Sequence, residues 1–220
     1  MLIPQIPPPF SLAWGFSTKL DDPGHLPPVM LSQVHGCSIV GAGAGIQEGD
    51  GLWTTQPGVR IGVRVADCVP ILLAGFAHGA PWIAALHAGW RGAVGFGQAS
   101  PGGGIFRQGL DLFRHQGGDI SSLVWALGPC IQRCHFEVGG EVIQTTRQDP
   151  AWHEDLVAKG LHGKAHLDLP GLLRAQGLHA GLNPANEGSV ALCTVCQDNL
   201  LWSYRRGDHS QRQWGWIEIV

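Results

Sequence analysis

Residues 61–70 read IGVRVADCVP and residues 82–92 read WIAALHAGWRG. Each starts as a short apolar run and ends on a reactive side chain, Cys68 or His87, with proline or glycine close behind. Runs of this length, cut off by turn formers, read as buried strands over 61–66 and 82–86. Working outward, residues 12–17 (LAWGFS), 29–34 (VMLSQV), 123–127 (LVWAL), 189–193, 200–204 and 214–220 share that character. Three segments follow helical spacing instead. Residues 105–116 put Phe106, Leu110 and Phe113 on one face and Arg107, Asp111 and Arg114 on another. The others are 137–147 and 168–179, the last opened by Asp168 and Pro170. Many strands against three helices predict an α+β (mixed α/β) domain in which strand-rich layers are covered by helices.

Composition sets the remaining bounds. A chain of 220 residues that is 44% hydrophobic forms one domain, 1–220, large enough to bury roughly 70% of its unfolded surface. Gly 33 and Pro 15 imply many tight connections, and 14% charged residues argue against disorder. A net charge of -3 with 14 Lys plus Arg offers no broad basic field, so nucleic acid is not expected as a partner. No stretch approaches the roughly 18 to 20 apolar residues of a membrane span. The start, MLIPQIPPPF, lacks the charged and apolar regions of a secretory signal. Six cysteines (37, 68, 130, 134, 193 and 196) are too few for a disulfide scaffold of this length, which favours reduced thiols and a cytoplasmic setting. The passages GAGAG at 41–45 and GFGQASPGGG at 95–104 match neither G-x-G-x-x-G nor the P-loop pattern and read as flexible surface loops.

The chemistry concentrates where predicted strands end. The first runs into His35-Gly36, the second into Asp67-Cys68-Val69-Pro70 and the third into His87-Ala88-Gly89-Trp90-Arg91-Gly92. His35, Cys68 and His87 are too far apart in sequence for a local zinc knuckle but suit neighbouring strand ends that converge on one ion. Two imidazoles and a thiolate form a zinc set with its fourth position open, and such an ion lowers the pKa of bound water to about 7. Asp67 is placed to orient a ligand or move a proton. The same residues also read without metal, with Cys68 as a nucleophile and His87 or His35 as its base, or simply as structural residues. Cys193-Thr194-Val195-Cys196 has the form of a redox or zinc motif but lacks a second C-x-x-C pair, while Cys130 and Cys134 read as packed thiols. Arg91 and the pair Arg205-Arg206 offer forks for phosphate or carboxylate. Gln33 and Arg64, beside the His35 and Cys68 motifs, join Arg205 and Arg206 as expected substrate contacts; Cys68, Asp67 and Arg91 are the expected catalytic residues.

These motifs resemble the YfiH-like family, also called laccase-domain or multicopper polyphenol oxidase proteins, with purine nucleoside phosphorylases among them. The carrying segments are Ser-Gln-Val-His-Gly (32–36), Ala-Asp-Cys-Val-Pro-Ile (66–71), His-Ala-Gly-Trp-Arg-Gly (87–92), Gly-Pro-Cys-Ile with Phe-Glu-Val-Gly (128–139), His-Leu-Asp-Leu (166–169), and Cys-Thr with Ser-Tyr-Arg-Arg (193–206). The resemblance implies that His35, Cys68 and His87 hold the family's metal, mostly zinc. It implies a layered α/β/β/α fold similar to the cysteine-hydrolase domain of a bacterial cytotoxic necrotising toxin. It further implies phosphorolysis of adenosine, inosine or methylthioadenosine and hydrolytic deamination of adenosine, so a purine nucleoside and phosphate are the expected partners. Oxidation of phenols suits the residues less, because a multicopper cluster commonly uses His-x-His pairs and the 11 histidines here form none; a single copper remains compatible with the trio. The family's opening segment is cut short, with Leu-Asp-Asp-Pro-Gly-His-Leu-Pro-Pro at 20–28, and Val195 to Asn199 depart from its Thr-Glu-Asn-Glu-like segment. A more open pocket, a different substrate or reduced activity is the expected result.

Overall fold

The computed structural model describes residues 1–21, 29, 31–43, 45–97, 103–160 and 164–220. In chain order the strands are β1 (Leu12–Phe16), β2 (Leu31–Ser32), β3 (Ile39–Gly41), β4 (Gln47–Glu48), β5 (Gly51–Thr54), β6 (Arg60–Val65), β7 (Val69–Ala77), β8 (Ala80–Ala88), β9 (Val124–Leu127), β10 (Glu137–Val138), β11 (Val157–Lys159), β12 (Ala165–Leu167) and β13 (Gln213–Ile219). The α-helices are α1 (Trp90–Val94), α2 (Ile105–His115), α3 (Gly140–Thr146) and α4 (Leu169–His179). Among the described residues, no helix is long and apolar enough to cross a membrane.

A five-stranded sheet, ordered β3-β5-β8-β7-β9, forms the centre, and a three-stranded sheet, β1-β13-β6, lies against it. The side-chain alternation of β7 and β8 assigns their two faces. Ile71, Leu73, Trp82, Ala84 and Leu86 belong to a core shared with Phe106, Leu110 and Phe113 of α2 and with Leu169 and Leu173 of α4. Leu72, Ala74, Ile83 and Ala85 point the other way, into a core shared with Phe16, Ile61, Val63 and Ile217 of the three-stranded sheet. Leu72, Leu73, Ile83 and Leu86 have no exposed surface, and burying each contributes about 1.5–3 kcal/mol. The mixed α+β architecture is therefore a helix layer, a central sheet and a second sheet. The outer face of that second sheet is roofed by its own side chains, with the Arg60 guanidinium over Trp216 and that of Arg64 over Trp214. A small sheet, β10-β12-β11, and α3 build a satellite core around Val138, Val142, Ile143 and Leu167.

Five sequence expectations change. Residues 137–147 are not one helix: Gly139, extended, separates β10 from α3. The 29–34 run forms a strand only at Leu31–Ser32, with Val29 in an isolated bridge and Met30 outside the described residues. Residues 189–193 run beside β9 through Val190 N to Leu127 O and a bridge between Cys130 and Cys193, without a continuous ladder. Residues 200–204 form no strand: turns at Leu200 and Tyr204 flank residues bonded by side chains, with Trp202 N donating to Gln213 Oε1, Gln213 Nε2 to Trp202 O, and Ser203 N to Asp208 Oδ2. Of the glycine-rich passages, Ala44 and residues 98–102 lie outside the described residues, as do residues 22–28 of the shortened segment. The end of the second passage is no loose loop, because Gly104 is buried and a Cβ there would stand 1.9 Å from Ala93 O.

Candidate functional site

Cys68 lies in the connection by which the chain leaves β6 of one sheet and enters β7 of the other. Antiparallel pairing of β7 with β8 sets Pro70 opposite His87 and Val69 opposite Ala88, so the start of one strand meets the end of its neighbour. Cys68 and His87 are thereby adjacent. His35 follows β2, and it is drawn in by Asp50, which precedes β5. The Asp50 carboxylate accepts from His35 N at 2.9 Å, Gly36 N at 2.7 Å and Val34 N at 3.3 Å. The ligand atoms of His35, Cys68 and His87 all lie within 4.8 Å of one another, and the two imidazoles meet edge to face. The spread in exposure suits a site reached from one side: His87 is buried, Cys68 half-buried and His35 exposed.

Asp50 is one of the residues that sequence reasoning missed. It has no solvent exposure, and it accepts from His87 Nδ1 at 2.8 Å. Burial acts to raise its pKa, but the bonds from His87, Gly36 and His35 outweigh it and hold the carboxyl below its usual range. A single Asp between two glycines gave only a turn signal. Its meaning comes from the loop that wraps it.

Cys68 and His87 perturb each other. Burial opposes a thiolate at Cys68, yet the charge of His87 and hydrogen bonds from both imidazoles lower its pKa to about 6. Burial likewise opposes charge on His87, but Cys68 and Asp50 raise its pKa to about 9. A thiolate and an imidazolium face each other between those values. Gly89 gives them room, since a Cβ there would stand 3.2 Å from Cys68 Sγ and 3.4 Å from His35 Cδ2.

The trio opens into a cavity of about 620 Å³. Arg64, Arg205 and Arg212 line it together with Phe136, Tyr204 and Asp67. A volume in this range suits a small-molecule site. A lobe of about 90 Å³ shares His35, Asp67 and Cys68 and adds Trp90 and Arg91, whose guanidinium lies 4.8 Å from the Trp90 ring centre. His35 and Asp67 both have positive φ, 61° and 85°, an unusual backbone for side-chain-bearing residues that concentrates at functional sites.

The expected substrate contacts divide. Gln33, Arg64 and Arg205 all line the cavity, with the Gln33 amide also held on the Arg64 backbone, donating to Arg64 O at 2.9 Å and accepting from Arg64 N at 2.8 Å. Arg206 does not line it; its guanidinium donates to the carbonyls of Thr194, Val195 and Leu201 and to Asp208. Both Asp67 oxygens accept bonds, Oδ1 from Thr194 Oγ1 at 2.6 Å and Oδ2 from Arg205 N at 2.7 Å. Arg212, Phe136 and Tyr204 were not foreseen, because each lies in an irregular segment without local periodicity. Among the remaining thiols, Cys130 is buried as expected, whereas Cys134 is exposed and is not a packed thiol.

Comparison with known proteins identifies relatives of this chain in sequence and in fold. Residues 20–220 match the family described as multi-copper polyphenol oxidoreductase laccase. The chain is 32% identical over 209 residues to adenosine deaminase RL5 from an unknown prokaryotic organism, covering 89% of this chain and 74% of that protein. It is 31% identical over 203 residues to the Escherichia coli K12 purine nucleoside phosphorylase YfiH, covering 90% and 76%. Among solved structures, the Bacillus licheniformis hypothetical protein YfiH superposes with a TM-score of 0.77 at 25% identity, covering 87% of this chain and 74% of that one. Geobacillus stearothermophilus YlmD gives 0.75 at 28% identity, covering 87% and 73%. The chain belongs to the YfiH-type family of multi-copper polyphenol oxidoreductase laccases.

Proposed function

We propose that this chain is a zinc-dependent purine nucleoside enzyme, cleaving adenosine, inosine or methylthioadenosine with phosphate and deaminating adenosine by hydrolysis. The observation that carries the reading is the meeting of two chemistries in one cavity: a His-Cys-His donor set at its floor and three guanidinium groups around it. Relatives named purine nucleoside phosphorylase and adenosine deaminase support it.

The residues fit a metal of the zinc type. Two imidazoles and one thiolate gather within ligand distance, and the Asp50 carboxylate fixes His87 with Nδ1 as donor and its other nitrogen toward Cys68. Zinc held by His35, Cys68 and His87 supplies Lewis acidity beside the bound nucleoside. In this reading Phe136 and Tyr204 offer aromatic surface to the purine, and Arg64 and Arg205 grip phosphate, with Arg91 facing the smaller lobe. Asp67, the one carboxylate lining the cavity among the described residues, handles the proton, and its two bonds fix its orientation. Copper fits the same trio, but the two metal-capable donor groups among the described residues hold only three histidines between them, which suits a trinuclear copper cluster poorly. A cytoplasmic setting accords with six free thiols.

The test is chromatography of adenosine incubated with metal-analysed protein, with and without phosphate, beside a metal-stripped control and the Cys68→Ala variant. Adenine formed only with phosphate and inosine formed without it are the expected products, both lost with the metal. Full turnover by stripped protein would replace this reading with thiol catalysis by Cys68, which its position beside His87 also permits.

A further inference from the structure

The loop after β9 and the segment before residue 200 meet at a second set of donors. Cys134 and His135 come from the first, Cys193 and Cys196 from the second, and their ligand atoms lie within 4.8 Å of one another. The measured separations are 3.7 Å for Cys134 Sγ to Cys196 Sγ and 3.2, 3.4 and 3.7 Å from His135 Nδ1 to the sulfurs of Cys134, Cys196 and Cys193. Tetrahedral zinc with Zn–S of about 2.3 Å and Zn–N of about 2.05 Å requires S···S edges of about 3.8 Å and S···N edges of about 3.6 Å. The measured edges fall around those values. The three cysteines of the cluster are free thiols.

We propose that Cys134, His135, Cys193 and Cys196 form a second, structural zinc site, distinct from the His35, Cys68 and His87 centre. Four protein donors close the coordination shell and leave no position for water or substrate, so the ion there staples rather than catalyses. What it staples is the wall of the cavity. Thr194, inside the Cys193–Cys196 loop, donates to Asp67 at 2.6 Å, while Arg205 donates to His135 O at 3.2 Å. Three thiolates make the site soft, which selects zinc over calcium or magnesium. This inference does not depend on which reaction the cavity performs.

Untagged protein, purified under reducing conditions, would be saturated with zinc, freed of excess and assayed for bound metal by mass spectrometry. The wild type is expected to hold a second equivalent that Cys68→Ala retains and that a Cys134→Ser/Cys196→Ser variant lacks. With cobalt in place of zinc, thiolate-to-metal absorbance per ion should be about threefold stronger in Cys68→Ala than in the serine variant, reflecting three thiolates against one. Equal zinc content in the wild type and the serine variant would overturn the proposal. Should the serine variant not fold, alkylation of the wild type decides: Cys134 and Cys196 should be protected by zinc and exposed by chelation, and unchanged labelling would refute the site.

Discussion

Asp50 accepts the ring N–H of His87 at 2.8 Å, with the side chains 0% and 3% exposed. The same carboxylate collects the backbone N–H groups of residues 34–36, so one buried acid orients one proposed ligand and positions another, His35. Replacing it by Asn keeps the shape but turns one acceptor oxygen into a donor facing N–H groups. Asp50→Asn should therefore lower zinc affinity about 10- to 100-fold, the scale found for outer partners of metal-bound histidine. Competition against a chelator measures this, and unaltered affinity would detach Asp50 from the metal centre.

The metal-free trio should react as an ion pair. With Cys68 at about 6 and His87 at about 9, the thiolate prevails above pH 6 in stripped protein. Iodoacetamide labelling of Cys68 should fall as pH drops through about 6, because the thiol is then protonated, and should stay near its plateau at pH 7. Zinc should suppress the labelling throughout. A midpoint near the ordinary cysteine value would show that the imidazoles do not hold the thiolate.

The regular part of this fold was legible because burial imposes a period. The 105–116 pattern appears as α2, with Phe106, Leu110 and Phe113 all fully buried, and the 168–179 pattern appears as α4 with Asp168 capping Gly171 N. The strand β7 was missed because Pro70 looked like a terminator. It lies one residue into the strand, where a missing N–H costs little, and its carbonyl still accepts from Gly128 N. His35, Cys68 and His87 could be picked out by residue type and strand-end position, but their meeting depends on the β7·β8 register, which no local pattern encodes. Residues 189–193 and 200–204 were read as strands from their apolar residues, whereas the first makes only scattered bonds beside β9 and the second is bonded largely by Gln213, Asp208 and Arg206 side chains.

Gly89 offers a steric test of the donor arrangement. It is extended, with φ of -75°, so alanine is conformationally allowed there and the backbone need not change. The added methyl would stand 3.2 Å from Cys68 Sγ and 3.4 Å from His35 Cδ2, against two of the three donors. Gly89→Ala should weaken zinc binding while leaving the melting temperature of stripped protein within a few degrees of wild type. Normal zinc binding by a folded variant would mean that the donors meet away from this position.

Arg205 and Arg206 are neighbours in sequence, yet the structure gives them different tasks. Arg205 is exposed and lines the cavity, reaching the carbonyls of His135 and Glu137. Arg206 binds three carbonyls and Asp208, holding the 194–208 segment together away from the cavity. Arg205→Ala should raise the KM for phosphate about 10- to 100-fold, the worth of one charge-assisted contact of about 1.5–3 kcal/mol, with little change in stability. Arg206→Ala should instead destabilise the fold by about 1–3 kcal/mol, because several backbone acceptors lose their partner at once. Phosphate kinetics and urea unfolding of both variants separate the two tasks. The assignment fails if Arg206→Ala shows the larger KM change while remaining as stable as wild type.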